Sequence, residues 1–545
     1  MEEERRPEIE PGAAGMSSAN GHSSPASRIV VNHSVSQALP REPAHANDRP
    51  AGGSGEPPAD LQKLAGDSGD LSGGPGDSLS ETDWDTTRYL AVATQLDLRY
   101  ARQVVSQIVG EPFRAVAPAA GADVVVVTRW ALAALRRRAW RDAVLACLLI
   151  TGVVAAIWAR TLIPIAVMVV LAACTVAYER WVRDVKILAR LMLRGRFRAR
   201  DAPPSSSARI EKRLAVVQQQ QKGNLVVFRG RSAFVGSGRE VVHDRILVNV
   251  ALGKKGKSGK RQRPIPFSTP QLHAALETAL NDMNLSEMRV GQRLYVNGEH
   301  VAGNSRLLPE ELGPPAADAP AELLHDGCVH PTPEARTYVC AEISGWKGQL
   351  VVSLFTRAVQ VRGSLQVEWM FHVLPPLHTS LLLIDQQYEP RRIGQITKAA
   401  ASGILRSVPS LLSAPVTFAR YITLPLTERA HIRDQSYRIR RGYVFNYGSP
   451  RSIREAPVSR RRPHDFVVGD ELTFILLARD IMLRALGRFL KQHKVDMTQF
   501  EDQEQTIIKN ITNYNVDKIR AKNVAVGDKS RASGDKNGGS SSSEG

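Results

Sequence analysis

Cysteine is scarce in this 545-residue chain, with four in all, which excludes a disulfide framework. Cys147 and Cys174 fall inside apolar runs, where packing is the expected role of a thiol, and Cys328 and Cys340 fit a reducing compartment. The opening MEEERRPEIEPG lacks the apolar stretch of a cleavable signal peptide, so none is expected. Residues 1–84 lack clustered aromatic and β-branched side chains and are rich in Gly, Ser, Pro and Ala. A segment of that kind cannot bury enough surface to fold, which predicts a disordered arm. The polar tail at 521–545 is expected to behave likewise.

Charge is missing from one stretch in particular. Between Asp142 and Glu179 the only charged residue is Arg160, which divides an apolar block into 143–159 and 161–178. Each half has about the minimum length that crosses a hydrocarbon core as a helix, so residues 142–180 read as a transmembrane helical hairpin. Five arginines lie from Arg129 to Arg141 and eight Lys or Arg residues from Arg180 to Arg200, with Arg160 alone in the turn. The positive-inside bias then puts both termini in the cytoplasm. The localisation expected is the cell membrane, of the bacterial inner-membrane type. Pro164 falls in the first turn of the second span, where no interior hydrogen bond is lost.

What the chain does carry is positive charge, +18 in formal balance, which points to an anionic partner. Apolar residues recur at helical spacing from Tyr89 to Ile108, and a second helical run starts near Asp123; together they suggest a cytoplasmic helical segment at 85–141. Residues 181–222 read as a basic juxtamembrane helix that could lie on lipid headgroups, followed by the linker DAPPSSSA and a polar helix near 209–222. From 223 to 376, β-type runs at NLVVFR, RILVNVAL, RLYVNG, RTYVCAEI, QLVVSLF and SLQVEWMFHV surround one helix, TPQLHAALETALNDMN, capped by Ser268 or Thr269. The fold class expected is α+β, a two-helix hairpin followed by a strand-rich cytoplasmic domain with C-terminal helices. A mixed helical and basic region fills 377–520. Its uncharged centre, 407–419, is too short to span a bilayer and is expected to be buried, interfacial or re-entrant.

Several motifs suggest chemistry. ALGKKGKSGKRQRPIP contains a relaxed phosphate-loop match ending in Gly256, Lys257 and Ser258, and LLLID offers Asp385 as a magnesium-directed carboxylate. Pro264 and Pro266 oppose the helix that such a loop must open. Composition explains the match better, since six of the ten residues from Lys254 to Arg263 are cations. That loop (Lys254, Lys255, Lys257, Lys260, Arg261, Arg263) reads instead as a flexible contact with an anionic surface. Arg438, Arg440 and Arg441 form a second candidate contact, within SYRIRRGYVFNYG, whose cation and aromatic alternation reads as a strand with one packed face. HDGCVH at 325–330 lacks the second ligand pair of a zinc site. SGWK at 344–347 lacks companion motifs. Glu342 and Glu368 alternate with apolar neighbours and are expected to face solvent. The glycines of 223–238 are explained by a strand, a turn and a bulge, and no Ser, His and Asp set follows from spacing.

GNLVVFRGRSAFVGSG after a two-span hairpin, HPTPEARTYVC before further strands, and NVAVGDKSRA near the end resemble a group of uncharacterised actinobacterial two-span membrane proteins with a cytoplasmic α+β domain and no assigned activity. The resemblance covers about residues 87–532 and implies no catalytic or ligand residues. The function expected is a membrane-anchored cytoplasmic binding or scaffold module, leaning away from catalysis. No cofactor or metal is expected. Its partners are the membrane, crossed twice, and anionic lipid headgroups; a protein partner is left open and nucleic acid is disfavoured. The alternatives are a membrane-attached nucleotide-using enzyme acting through Lys257, Ser258 and Asp385, and a nucleic-acid tether.

Overall fold

The computed structural model describes residues 81–256, 259–283, 285, 288–382, 384–387, 407–458 and 465–508. Most of the expected arm, the whole tail, Lys257 and Ser258 lie outside them. The periodicity at 89–108 forms two helices, α1 (Glu81–Leu96) and α2 (Leu98–Ile108). Asp97 makes the break, because its carboxylate accepts from the Arg99 amide at 2.8 Å and caps α2. Asp123 likewise caps α3 (Val124–Ala159), accepting from the Val125 and Val126 amides. The latter is one uninterrupted helix of 36 residues that runs from the helical core through the basic cluster into the apolar block. A tight turn at Arg160, φ 53°, reverses the chain into α4 (Ile163–Trp181). Both helices are long and apolar enough to cross a membrane.

The apolar side chains of this hairpin point outward. Ile150, Val154, Ile157, Trp158 and Ile163 are all more than half exposed, and Cys147 and Cys174 are exposed rather than packed. The packing expected of the two thiols fails because the interior of a two-helix hairpin is narrow. Its seam is filled by Leu145, Met168, Ala172 and Val176. Gly152 allows the close approach, for a Cβ there would sit 2.7 Å from the Met168 sulfur.

Beyond α4 the expected juxtamembrane helix is a short π-helical stretch over Val182–Leu188 followed by turns. Its apolar residues Leu188 and Met192 are fully buried in the core shared by α1, α2 and α3, so that side faces protein and not headgroups. Then α5 (Ala208–Lys222) leads into β1 (Leu225–Phe228).

All six expected β-runs form strands. After β1 come β2 (Arg239–Asn249), α6 (Thr269–Asn281), β3 (Met288–Asn297), α7 (Ala321–Val329), β4 (Ala335–Gly345), β5 (Leu350–Val361) and β6 (Ser364–Leu374). They make one mixed sheet of order β1-β3-β4-β5-β6-β2, parallel only between β1 and β3. The chain is therefore α+β. Ser268 caps α6 through a capping box with Gln271. Gly238 enters β2 at φ +86°, where a Cβ would lie 2.3 Å from the Val373 carbonyl, and the ladder shifts register between Glu240 and Val242. The strand and turn thus fall within 223–238 as expected, while the bulge lies just beyond it, at 240–242.

Two short helices follow, α8 (Thr379–Leu382) and α9 (Ile384–Gln387). The stretch Ser407–Arg440 is a single helix, α10, despite Pro415 and Pro425. The strand expected at SYRIRRGYVFNYG is therefore corrected: the helix continues to Arg440, with Ile432, Gln435 and Ile439 inward at helical spacing, and Gly442 at φ +73° ends it. Alternate cations and aromatics mimicked a period of two across a helix end. Only the later part, 447–449, is extended, and it bonds to Val227, Gly298 and Arg229 beside β1. The last labelled helix, α11 (Asp465–Gln492), packs with α6 on one face of the sheet, burying Leu354, Val367, Trp369, Ile475, Met482 and Leu486 together.

Candidate functional site

The opposite face of the sheet is polar at one end and aromatic in the middle. Tyr295, Tyr338, Cys340, Phe355 and Met370 cluster beneath Phe234, whose ring stacks on Phe355 at 4.3 Å. Beside it Ser237 Oγ lies 3.0 Å from His372 Nδ1, and His372 Nε2 lies 3.9 Å from Glu240. This pairing joins residues 135 positions apart and could not be read from spacing. The Ser237 hydroxyl donates to the Phe234 carbonyl at 2.7 Å. Its oxygen is then left to accept from Nδ1–H, so the imidazole is not placed to withdraw the hydroxyl proton. Burial pushes the His372 imidazole down to about 4.

The larger feature is a cleft of about 540 Å³ where the start of α3, the end of α5 and strands β3 and β4 converge. Five of its lining residues are cations, Arg129, Arg200, Lys222, Arg289 and Arg293, against the carboxylates Asp123 and Glu342. Strand register builds the floor. Arg289 lies directly opposite Glu342, and Arg293, four residues on and therefore on the same face, donates to Glu342 Oε1 at 2.5 Å. Burial pushes the Glu342 carboxyl up, but the Arg293 guanidinium overrides it and holds the carboxyl below its ordinary value. Solvent exposure expected for Glu342 and Glu368 is corrected accordingly: each is partly buried and paired across strands, Glu368 with Arg357.

The wall is the first turn of α3. Its amides are already bonded, Val125 and Val126 to Asp123 and Val124 to Gln221 Oε1 at 2.7 Å. A ligand in this cleft would therefore be held by side-chain cations and not by free helix amides. Arg200, Lys222 and Arg289 are exposed, and Arg129 is bound to Glu211 at 2.7 Å. The arrangement suits a small polyanion, in volume and in sign.

The sites expected from sequence lie elsewhere. Lys254, Lys255, Lys260, Arg261 and Arg263 belong to a loop leaving β2, at the other edge of the sheet from β1. Its described base is held to the rest of the fold: Lys255 bridges Arg261, the Lys254 amide bonds to Lys494, and Arg261 pairs with Asp496 at 3.5 Å. After Ser258 no helix opens until α6 at Thr269. Asp385 lies on a helix and not at a strand end; it accepts from Arg88 at 2.6 and 3.0 Å and from Tyr89 at 2.9 Å. Arg438, Arg440 and Arg441 are exposed at the far end of α10. In HDGCVH, Cys328 is buried against His273 at 3.3 Å, and no metal-type cluster occurs among the described residues. Trp346 of SGWK donates to Asp470. The cleft was missed because its cations are scattered along the chain; the one local signal was the i, i+4 spacing of Arg289 and Arg293 on a strand.

Residues 246–524 match the AbeC-like domain, which is more than half of the chain. The chain belongs to the AbeC-like domain family. The AbeC-like domain takes in the end of β2, the basic loop, β3 to β6, α10 and α11, so Arg289, Arg293 and Glu342 lie inside it. The hairpin, α5 and β1 lie outside it. No curated protein and no solved structure matches the chain.

Proposed function

We propose that this protein is a membrane-anchored cytoplasmic binding module whose AbeC-like domain and helical region together hold a small polyanion. The observation that carries this reading is the continuity of α3. Its first turn walls the cationic cleft, and its last 17 residues, 143–159, are free of charge and expose apolar side chains. An apolar patch of that extent is at odds with water and suits lipid. At 1.5 Å per residue the segment spans about 26 Å, close to the hydrocarbon thickness. The cations below it set the orientation, with cleft and sheet on the cytoplasmic side. The base of the hairpin is closed by Glu179, which is buried among Arg137 at 3.2 Å, Arg138 at 3.6 Å and Arg141 at 4.0 Å.

Inorganic tripolyphosphate is the probe. Added to the detergent-solubilised full chain, it should raise the melting temperature by several degrees once well above its Kd, an effect of about 3 kcal/mol at a hundredfold excess. The rise should shrink steeply with salt. The double variant Lys222→Glu and Arg289→Glu should abolish it, while Lys254→Glu with Lys260→Glu on the basic loop should leave it intact. A rise that follows the loop and ignores the cleft would place the site wrongly.

A further inference from the structure

A second cavity, of about 420 Å³, sits where the charged half of α3 meets its apolar half. Its walls come from α3, from α10 through Tyr421, and from the linker around Pro203 to Ser207. Arg129, Arg136 and Arg137 line it and no carboxylate does. Their roles differ. Arg129 is engaged by Glu211, and Arg137 by Glu179 and Gln95. Each still has a buried guanidinium nitrogen with no hydrogen-bond partner, Nε of Arg129 and Nη2 of Arg137. Arg136 is exposed and makes no hydrogen bond or ion pair among the described residues. The cavity therefore contains the unpaired positive charge of Arg136 and unmet donor capacity.

Its level is set by the sequence. Trp140, four residues after Arg136 and on the same face of α3, is 66% exposed, and the charge-free run begins three residues later at Ala143. Tyr421 is 41% exposed on the neighbouring helix, one residue past Arg420, the cation that ends the uncharged stretch 407–419. Further along α10 toward its start, Leu411 and Ala414 pack with Leu145, Met168 and Ala172 inside the hairpin seam. Two aromatic side chains flanking a ring of cations, at the foot of an apolar helix group, is the arrangement of a membrane-water interface.

We propose that this cavity binds the headgroup of an anionic phospholipid, with the phosphodiester at Arg136 and hydroxyl-bearing headgroup atoms toward Ser206 and Ser207. The proposal rests on the membrane reading above. A single phosphodiester charge matches the single unpaired guanidinium. A choline or ethanolamine headgroup would add a cation among three arginines, so zwitterionic lipid is disfavoured. Acyl chains would rise past Trp140 along the exposed apolar side of α3.

The test reconstitutes the full chain into nanodiscs of equal phosphatidylglycerol and phosphatidylcholine, re-extracts it, and quantifies the retained lipid by mass spectrometry. Wild type should retain phosphatidylglycerol about fivefold over phosphatidylcholine, the selectivity one cation near a membrane surface supplies. Arg136→Gln should bring the ratio to about one, whereas Arg136→Lys should keep much of it, and Arg488→Gln, on distant α11, should change nothing. Equal retention by wild type, or a preference untouched by Arg136→Gln, overturns the site. So does displacement by glycerol phosphate at millimolar concentration, which would mark a soluble phosphate ligand. Carbonate extraction of the chain from native membranes separates the two failures: release of the protein overturns the anchor itself, while a retained protein without lipid preference overturns only this cavity.

Discussion

Lowering the pH from 7 to 5 is expected to destabilise this protein. The cause is two buried histidines. His273 is fully buried under the sheet, where its Nε2 accepts from the Ala358 amide at 3.0 Å and its Nδ1 lies 3.3 Å from the Cys328 sulfur. His372 is 4% exposed beneath Phe234. Burial pushes each imidazole from 6.5 down to about 4. The unfolded chain takes up these protons near pH 6.5 and the folded chain does not, so stability is full above that pH and falls as the pH drops toward 4. Integrated over that window, each histidine removes about 3 kcal/mol. Carboxylates held low by partners, Glu342 beside Arg293 and Asp385 beside Arg88, behave differently. Their contribution is present above the ordinary carboxylate range and is lost only on further acidification. Thermal unfolding in detergent should therefore show a steep fall in melting temperature between pH 6.5 and 5. In the double variant His273→Leu and His372→Leu, stability at pH 7 should be lower but the slope across that window should flatten. An unchanged slope would mean that other groups carry the protons.

Replacing Glu179 with leucine should cost about 3–5 kcal/mol, because Arg137 and Arg138 would lose their carboxylate at the base of the hairpin, Arg141 alone keeping Asp142. Glu179 is 5% exposed in the midst of Arg137, Arg138 and Arg141, and together they hold α3 and α4 in register. The exposed pair Arg306 and Glu322 supplies the contrast. Glu322→Leu should cost less than about 1 kcal/mol, as water already screens that pair. Comparable losses for the two variants, measured by thermal denaturation of the same detergent-solubilised chain, would show that the cluster at the hairpin base is as dispensable as a surface pair.

Where sequence reading succeeded, the signal was local. Each β-run was a short stretch rich in β-branched and aromatic residues, set off by Gly, Pro or Asn, so all six strands were found. Ser268 or Thr269 was placed as a cap by position before an apolar-periodic run, and Ser268 fills that place; the hairpin was marked by an apolar block broken by Arg160 alone. The failures have a common physical source. The continuity of α3 was obscured because its composition changes at Asp142 although its backbone does not. α10 was obscured by Pro415 and Pro425 and by the period-two accident at Tyr437 to Tyr447. The cleft and the Ser237–His372 bridge depend on register between distant strands, and a single sequence contains no sign of which Arg will face which Glu. Charge density pointed to the loop at Lys254, but density is not concavity. The cations that line the cleft are dispersed along the chain, Arg129, Arg200, Lys222, Arg289 and Arg293.

The central claim, that α3 and α4 cross a membrane with the α+β region inside, is tested most directly by thiol labelling from outside. In intact cells expressing the full chain with Cys147 and Cys174 replaced by alanine, Arg160→Cys in the turn should react with a membrane-impermeant maleimide. Lys212→Cys, exposed on α5, should react only after the cells are permeabilised. Labelling of Lys212→Cys in intact cells, or protection of Arg160→Cys until permeabilisation, would contradict the account.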